Sequence, residues 1–127
     1  MSVKFKAVSR KNPQDLTAPE KFYARAIADG EVNLDTLAQM ISDQNTVTET
    51  DCYAVLISLE KNIIAELAQG RIVKLGRLGT FQVGVSSEGE TTAEEVASTS
   101  IIKSRINFRP GKRMQIFLKT VTYKKDS

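Results

Sequence analysis

The sequence predicts an α+β fold. Three observations carry that expectation: period-two alternation at the N-terminus, two stretches of helical spacing in the middle, and a return to period two after residue 70 that closes on a short terminal helix. The 127 residues are about one domain's length, and 41% hydrophobic content can fill a modest core. The expected organisation is a β-hairpin extension over residues 1–30 and a domain over 31–127, forming one compact unit.

Val3, Phe5 and Ala7 alternate with Lys4, Lys6 and Val8, which describes a half-buried strand with lysines on its wet side. Asn12-Pro13 breaks it, and a polar loop runs to Pro19. The segment Lys21 to Ala28 reads as a second strand pairing with the first. Its three alanines also suit a helical turn set off by Pro19-Glu20. The hairpin is the preferred reading.

Asn33 has the chemistry of a helix N-cap, and Leu34, Leu37, Ala38 and Ile41 follow at helical spacing to about Ser42. Thr48-Glu49-Thr50-Asp51 opens a second helix with an imperfect capping box. Cys52, Val55, Leu56, Leu59, Ile63 and Leu67 form one stripe along it, and Gly70 supplies the stop. Tyr53, Ile57 and Ile64 widen the apolar surface. Two readings fit: a central helix buried on several sides, or, preferred, a helix that also packs against a second copy of the chain.

Beyond Gly70, Ile72 and Val73 begin a strand, Leu75 to Gly79 turns, and Phe81, Val83 and Val85 alternate with Thr80, Gln82 and Gly84. Ser86 to Ser100 carries Glu88, Glu90, Glu94 and Glu95 and few large apolar residues, which describes an exposed, mobile connection. Ile102, Ser104, Ile106 and Phe108 then alternate with Lys103, Arg105, Asn107 and Arg109. Same-face side chains recur every ~6.6 Å along a strand, so this row suits the tracking of a nucleic-acid backbone. A solvated edge guarded by cations would show the same pattern. Lys112 to about Val121 reads as a helix with Pro110 near its start, followed by a basic tail over 123–127. The free amides at that helix start could receive a phosphate.

Charge is segregated along the chain. Residues 1–28 carry six Lys/Arg against two Asp/Glu, residues 29–70 one against eight, and residues 71–127 eleven against five, for a net charge of +3. The absence of histidine excludes His-based triads and histidine metal ligands. Neither a Walker-type phosphate loop nor a dinucleotide fingerprint occurs, so no enzyme activity and no cofactor are expected. A single cysteine, Cys52, excludes an intrachain disulfide and suits a reducing cytoplasm. No stretch approaches the ~18 apolar residues of a membrane helix.

Two helices, then AQGRIVKLGRLGTFQV, a two-strand excursion, NFRPGK and a final helix resemble the HU/IHF family of bacterial histone-like proteins, in particular the longer HU-like proteins of Bacteroides-type bacteria with their extra N-terminal segment. The likeness covers about residues 32–121, and its most specific pieces are Gly79-Thr80-Phe81 and Phe108 to Lys112. The resemblance implies an intertwined homodimer with a helical base and paired β-arms around DNA, in the nucleoid of a bacterial cytoplasm. It implies double-stranded DNA as partner, with no membrane and no small-molecule substrate. Carried over by position, Arg109 and Lys112 match the basic positions flanking Pro-Gly at the start of the last helix, and Arg113 beside them is a further candidate DNA contact. Lys103 and Arg105 match the returning arm strand, and Lys74 and Arg77 lie in the turn leading into the arm. The arm tip departs from the family. It lacks the Arg-Asn-Pro wedge that kinks a duplex and carries four glutamates instead. Either the tip stays off the DNA and backbone contacts remain, which is the preferred expectation, or strong DNA binding has been lost and the dimer serves structure or protein interaction.

Overall fold

The computed structural model describes residues 2–126 and contains three α-helices and two three-stranded sheets. Contacts within the chain fall into two compact units. One spans Leu34–Ile116; the other combines the residues up to Asn33 with those from Phe117 onward.

In the terminal unit, β1 (Val3–Arg10) pairs antiparallel with β2 (Lys21–Ile27), so the alanine-rich segment is a strand and not a helical turn. The loop between them turns through side chains. Gln14 N donates to Asn12 Oδ1 at 2.9 Å, while Thr17 N and Oγ1 donate to Asp15 Oδ1 at 3.0 and 2.6 Å. The residues expected to be a basic tail are different: Tyr123–Lys125 form β6, a strand parallel to β1 in the order β2-β1-β6. Val3 N donates to Thr122 O and Asp126 N to Phe5 O, so backbone pairing across nearly the whole sequence holds the strand in place. Ser127, the last residue of that expected tail, lies outside the described residues.

In the central unit, α1 (Leu34–Gln44) outlasts its expected end at Ser42 by two residues and packs on α2 (Glu49–Ala68). Thr48 caps α2, its hydroxyl accepting from Asp51 N at 3.2 Å. The helix ends in a Schellman arrangement: Gly70 N donates to Leu67 O and Arg71 N to Glu66 O, with Gly70 at φ 80°. Ala38, Cys52 and Leu67 are the buried apolar side chains. Leu56, Leu59 and Ile63 are half-buried, whereas Val55, expected in the same stripe, is 63% exposed. The reason is angular: Val55 lies at the margin of the arc that α1 covers.

The second sheet has the order β3-β4-β5, from β3 (Val73–Lys74), β4 (Gly79–Ser87) and β5 (Ile101–Pro110), all antiparallel neighbours. Phe81 lies opposite Phe108 with ring centroids 5.0 Å apart, a tilted aromatic pair at the base of the arm. The register slips by one residue between Ser86 and Ser87, leaving Ile102 unpaired as a bulge. The connection beyond is exposed, and two short 3-10 turns, Ala93–Glu95 and Ser98–Ser100, lie within it. Ser100 is buried: its hydroxyl donates to Glu90 Oε1 and accepts from Ala97 N, while its carbonyl accepts from Glu88 N.

Candidate nucleic-acid interface

The antiparallel register decides which cations share a face. Thr80 lies opposite Arg109 on one side and Lys74 on the other, Gly84 opposite Arg105, and Ser86 opposite Lys103. Directly opposed residues project to the same side of a sheet, and alternate residues of a strand do likewise. Lys74, Arg109, Arg105 and Lys103 therefore form one basic row along the β3-β4-β5 face. Lys74 belongs to β3 itself and not to the turn after it.

Arg105 is held in place. Its Nη1 donates to Ser86 Oγ at 3.1 Å, and it crosses β4 over Gly84, where an added Cβ would meet Arg105 Nε at 3.2 Å and Asn107 Nδ2 at 2.7 Å. The absent side chain at Gly84 makes room for the guanidinium and the Asn107 amide on the same face. Ile72, Lys74, Thr80, Gln82, Asn107 and Arg109 line an open groove there, of about 700 Å³. Thr80, Gln82 and Asn107 supply neutral hydrogen-bonding groups between the cations. Attention to charge alone passes over them, although their places in the period-two pattern mark them.

Pro110 is the last residue of β5, not the first of a helix, and α3 (Lys112–Thr120) begins two residues later. Gly111 N donates to Leu78 O at 3.0 Å, so this amide is not free for an anion. A Cβ at Gly111 would stand 2.6 Å from Gly76 O and 2.8 Å from Arg77 C, so only glycine lets the chain come this close to the β3–β4 turn. That approach brings the turn carrying Arg77 against the start of α3, where Lys112 and Arg113 lie. All seven predicted cations (Lys74, Arg77, Lys103, Arg105, Arg109, Lys112 and Arg113) are exposed. Among the described residues none of them forms an ion pair with an acid. The four glutamates of the tip sit beyond the bulge, outside this row.

A helical pair, a β-arm and a basic helix start joined to the arm base make an HU-like α+β architecture. The chain belongs to the HU-HIG family, described as an HU domain fused to a wHTH, Ig or glycine-rich motif, whose match spans residues 1–125. The fold is also similar to that of a crystallised chain from Bacteroides vulgatus ATCC 8482 described as a "putative bacterial DNA binding protein". The TM-score is 0.63 at 14% identity, with 98% of this chain and 49% of that chain covered. This chain thus spans about half the length of that one. No curated protein matches. No helix of the described residues is long and apolar enough to cross a membrane.

Proposed function

We propose that this protein is a non-catalytic, homodimeric DNA-binding protein of the bacterial nucleoid that grips duplex phosphates through the arm base and the start of α3, largely without sequence preference. The observation that carries the reading is the single basic face formed by Lys74, Lys103, Arg105 and Arg109, unneutralised by acids. Such a row gains affinity by displacing counterions from the duplex, so binding falls steeply between ~50 and ~200 mM salt. Arg77, Lys112 and Arg113 extend it. The proline-free tip has no wedge to insert between base pairs, so the contact follows the backbone without a sharp kink. HU-like residues 31–127, with 1–30 as an addition, are the domain assignment that accompanies this reading.

Exposed surface supports the dimer. The described residues leave 10969 Å² in water. A closed 14.0 kDa body exposes roughly 6,700 Å², and even two separately closed bodies of half that mass expose roughly 8,000 Å² together. The exposed arm and its connection account for part of this surplus of about 3,000 Å²; apolar side chains open on α2 are the part a homodimer would cover. Tyr53, Val55 and Ile64, 38%, 63% and 56% exposed on α2, belong to it.

The experiment is a titration of duplex DNA at low and moderate salt with the wild type and an Arg105→Gln/Arg109→Gln/Lys112→Gln variant, alongside light scattering for mass. Salt-sensitive wild-type binding that the variant loses, from a dimer, is the expected result. No wild-type binding at low salt removes the DNA reading, and a stable monomer removes the dimer. The acidic tip, tied together through Ser100 and Glu90, favours one second reading: an HU-like dimer that serves as a structural or protein-interaction module.

A further inference from the structure

The terminal sheet has two unlike faces. Through the registers of β1 with β2 and β6, Val3, Phe5, Ala7, Phe22, Ala24, Ala26 and Tyr123 project to one side, with Ser9 and a single cation, Lys125, among them. Lys4, Lys6, Arg10, Lys21, Arg25 and Lys124 project to the other, together with Val8, Tyr23 and Ile27. The cationic side is open to water: Lys6, Arg10, Lys21, Arg25 and Lys124 are exposed and Lys4 is half-buried.

The cations on that face are paired with each other. Arg10 lies directly opposite Lys21, Lys6 opposite Arg25, and Lys4 opposite Lys124. Like charges at directly opposed positions destabilise a sheet. None of the three strands contains an acidic residue to relieve the repulsion. Lys4 reaches Asp29 at 3.9 Å, where Asp29 is 83% exposed, so the pair is weak. Edge protection does not account for Lys4, because it sits on the central strand with β2 paired on one side and β6 on the other. Arg10 stacks over the Tyr23 ring at 5.9 Å, which fixes its guanidinium on this same face.

We propose that this face is a second duplex-DNA contact, on residues other than those of the arm base. Three like-charge pairs, only that of Lys4 weakly relieved by Asp29, are a standing cost that a polyanion removes on binding. The cations recur two or four residues apart along strands about 4.8 Å from one another, a two-dimensional array suited to the phosphates lining a groove. The choice of DNA over other polyanions rests on the reading of the arm base.

A Lys6→Gln/Arg25→Gln/Lys124→Gln variant of the full chain separates the two sites when its duplex titrations are set beside those of the arm-base variant. The expected result is an affinity loss on the order of tenfold at moderate salt and a salt slope shallower by about 2–3, since each neutralised phosphate contributes about 0.9. Thermal stability should stay the same or rise, because repulsion has been removed. An affinity and slope equal to wild type, with the arm-base variant impaired, overturn this proposal and leave the arm reading standing. The opposite pattern overturns the arm reading and keeps this one.

A wild-type measurement guards against misfolding of the variant: lysine acetylation with and without duplex, read by peptide mass. Protection of Lys6, Lys21 and Lys124 by DNA supports the proposal; undiminished labelling overturns it. Binding of anionic phospholipid vesicles that the sheet variant loses, with its DNA slope unchanged, also overturns it and assigns the face to a membrane surface.

Discussion

Replacing Gly111 with alanine tests whether the approach of α3 to the β3–β4 turn organises the arm base. The new methyl would overlap Arg77 O and stand 2.6 Å from Gly76 O, both backbone atoms with no rotamer to yield. The turn and the helix start must therefore separate. Overpacking of this kind costs about 1–3 kcal/mol, and loss of the Gly111 N to Leu78 O bond adds about 1 kcal/mol, for a total of about 2–4 kcal/mol. That is a large part of the 5–15 kcal/mol typical of a small domain. Urea denaturation followed by circular dichroism measures it at fixed protein concentration. Gly89→Ala is the matched control: nothing lies within 4 Å of its added methyl and its φ is not positive, so it should fall within about ±0.5 kcal/mol of wild type or gain slightly. Equal midpoints for the two variants would refute the claim that this contact sets the geometry around Arg77 and Lys112. Partial loss of DNA affinity in Gly111→Ala, measured where the protein remains folded, is the functional counterpart.

Thr48→Ala should cost about 1 kcal/mol, because the Thr48 hydroxyl satisfies the Asp51 amide at the start of α2; thermal denaturation reads it. Asp15 is held below its ordinary carboxylate range, first by the Thr17 hydroxyl and then by the Thr17 amide. A depressed folded-state value contributes stability that is present above the ordinary carboxylate range and lost as pH falls through the folded value. Thr17→Ala should move the Asp15 titration upward in an NMR pH series and weaken that acid dependence; an unmoved titration contradicts the assignment. Phe81→Leu should cost about 0.5–1.5 kcal/mol beyond its lost area through the aromatic pair with Phe108, and a double-mutant cycle with Phe108→Leu isolates that part.

Much of the arm base was legible because its signals are local. Period-two runs marked β4 and β5, and the alternation within 102–109 already separated the basic from the apolar positions. Thr48 and Gly70 marked the ends of α2 through chemistry that involves only neighbouring residues. That Val55 is 63% exposed while Leu56 and Leu59 are half-buried was not legible, because helical spacing says which residues share a side, not how wide an arc a neighbour covers. Pro110 was placed wrongly because a proline that suits a helix start equally suits the end of a strand whose ladder does not need its amide.

By itself, then, the sequence determined the order and type of most elements up to α3, the glycines at the turns, the cations available and the likeness to HU proteins. Each follows from steric and hydrogen-bonding preferences acting over a few residues. Tertiary structure alone decided that Tyr123–Lys125 pairs with β1, that Lys74 joins the face of Arg109, and that Gly111 lies against Arg77. It also decided that Lys6 faces Arg25 and Arg10 faces Lys21. Strand register is a relation between distant segments, and a shift of one residue would turn every side chain to the other face. Composition counts the charges; only pairing decides which of them must face one another.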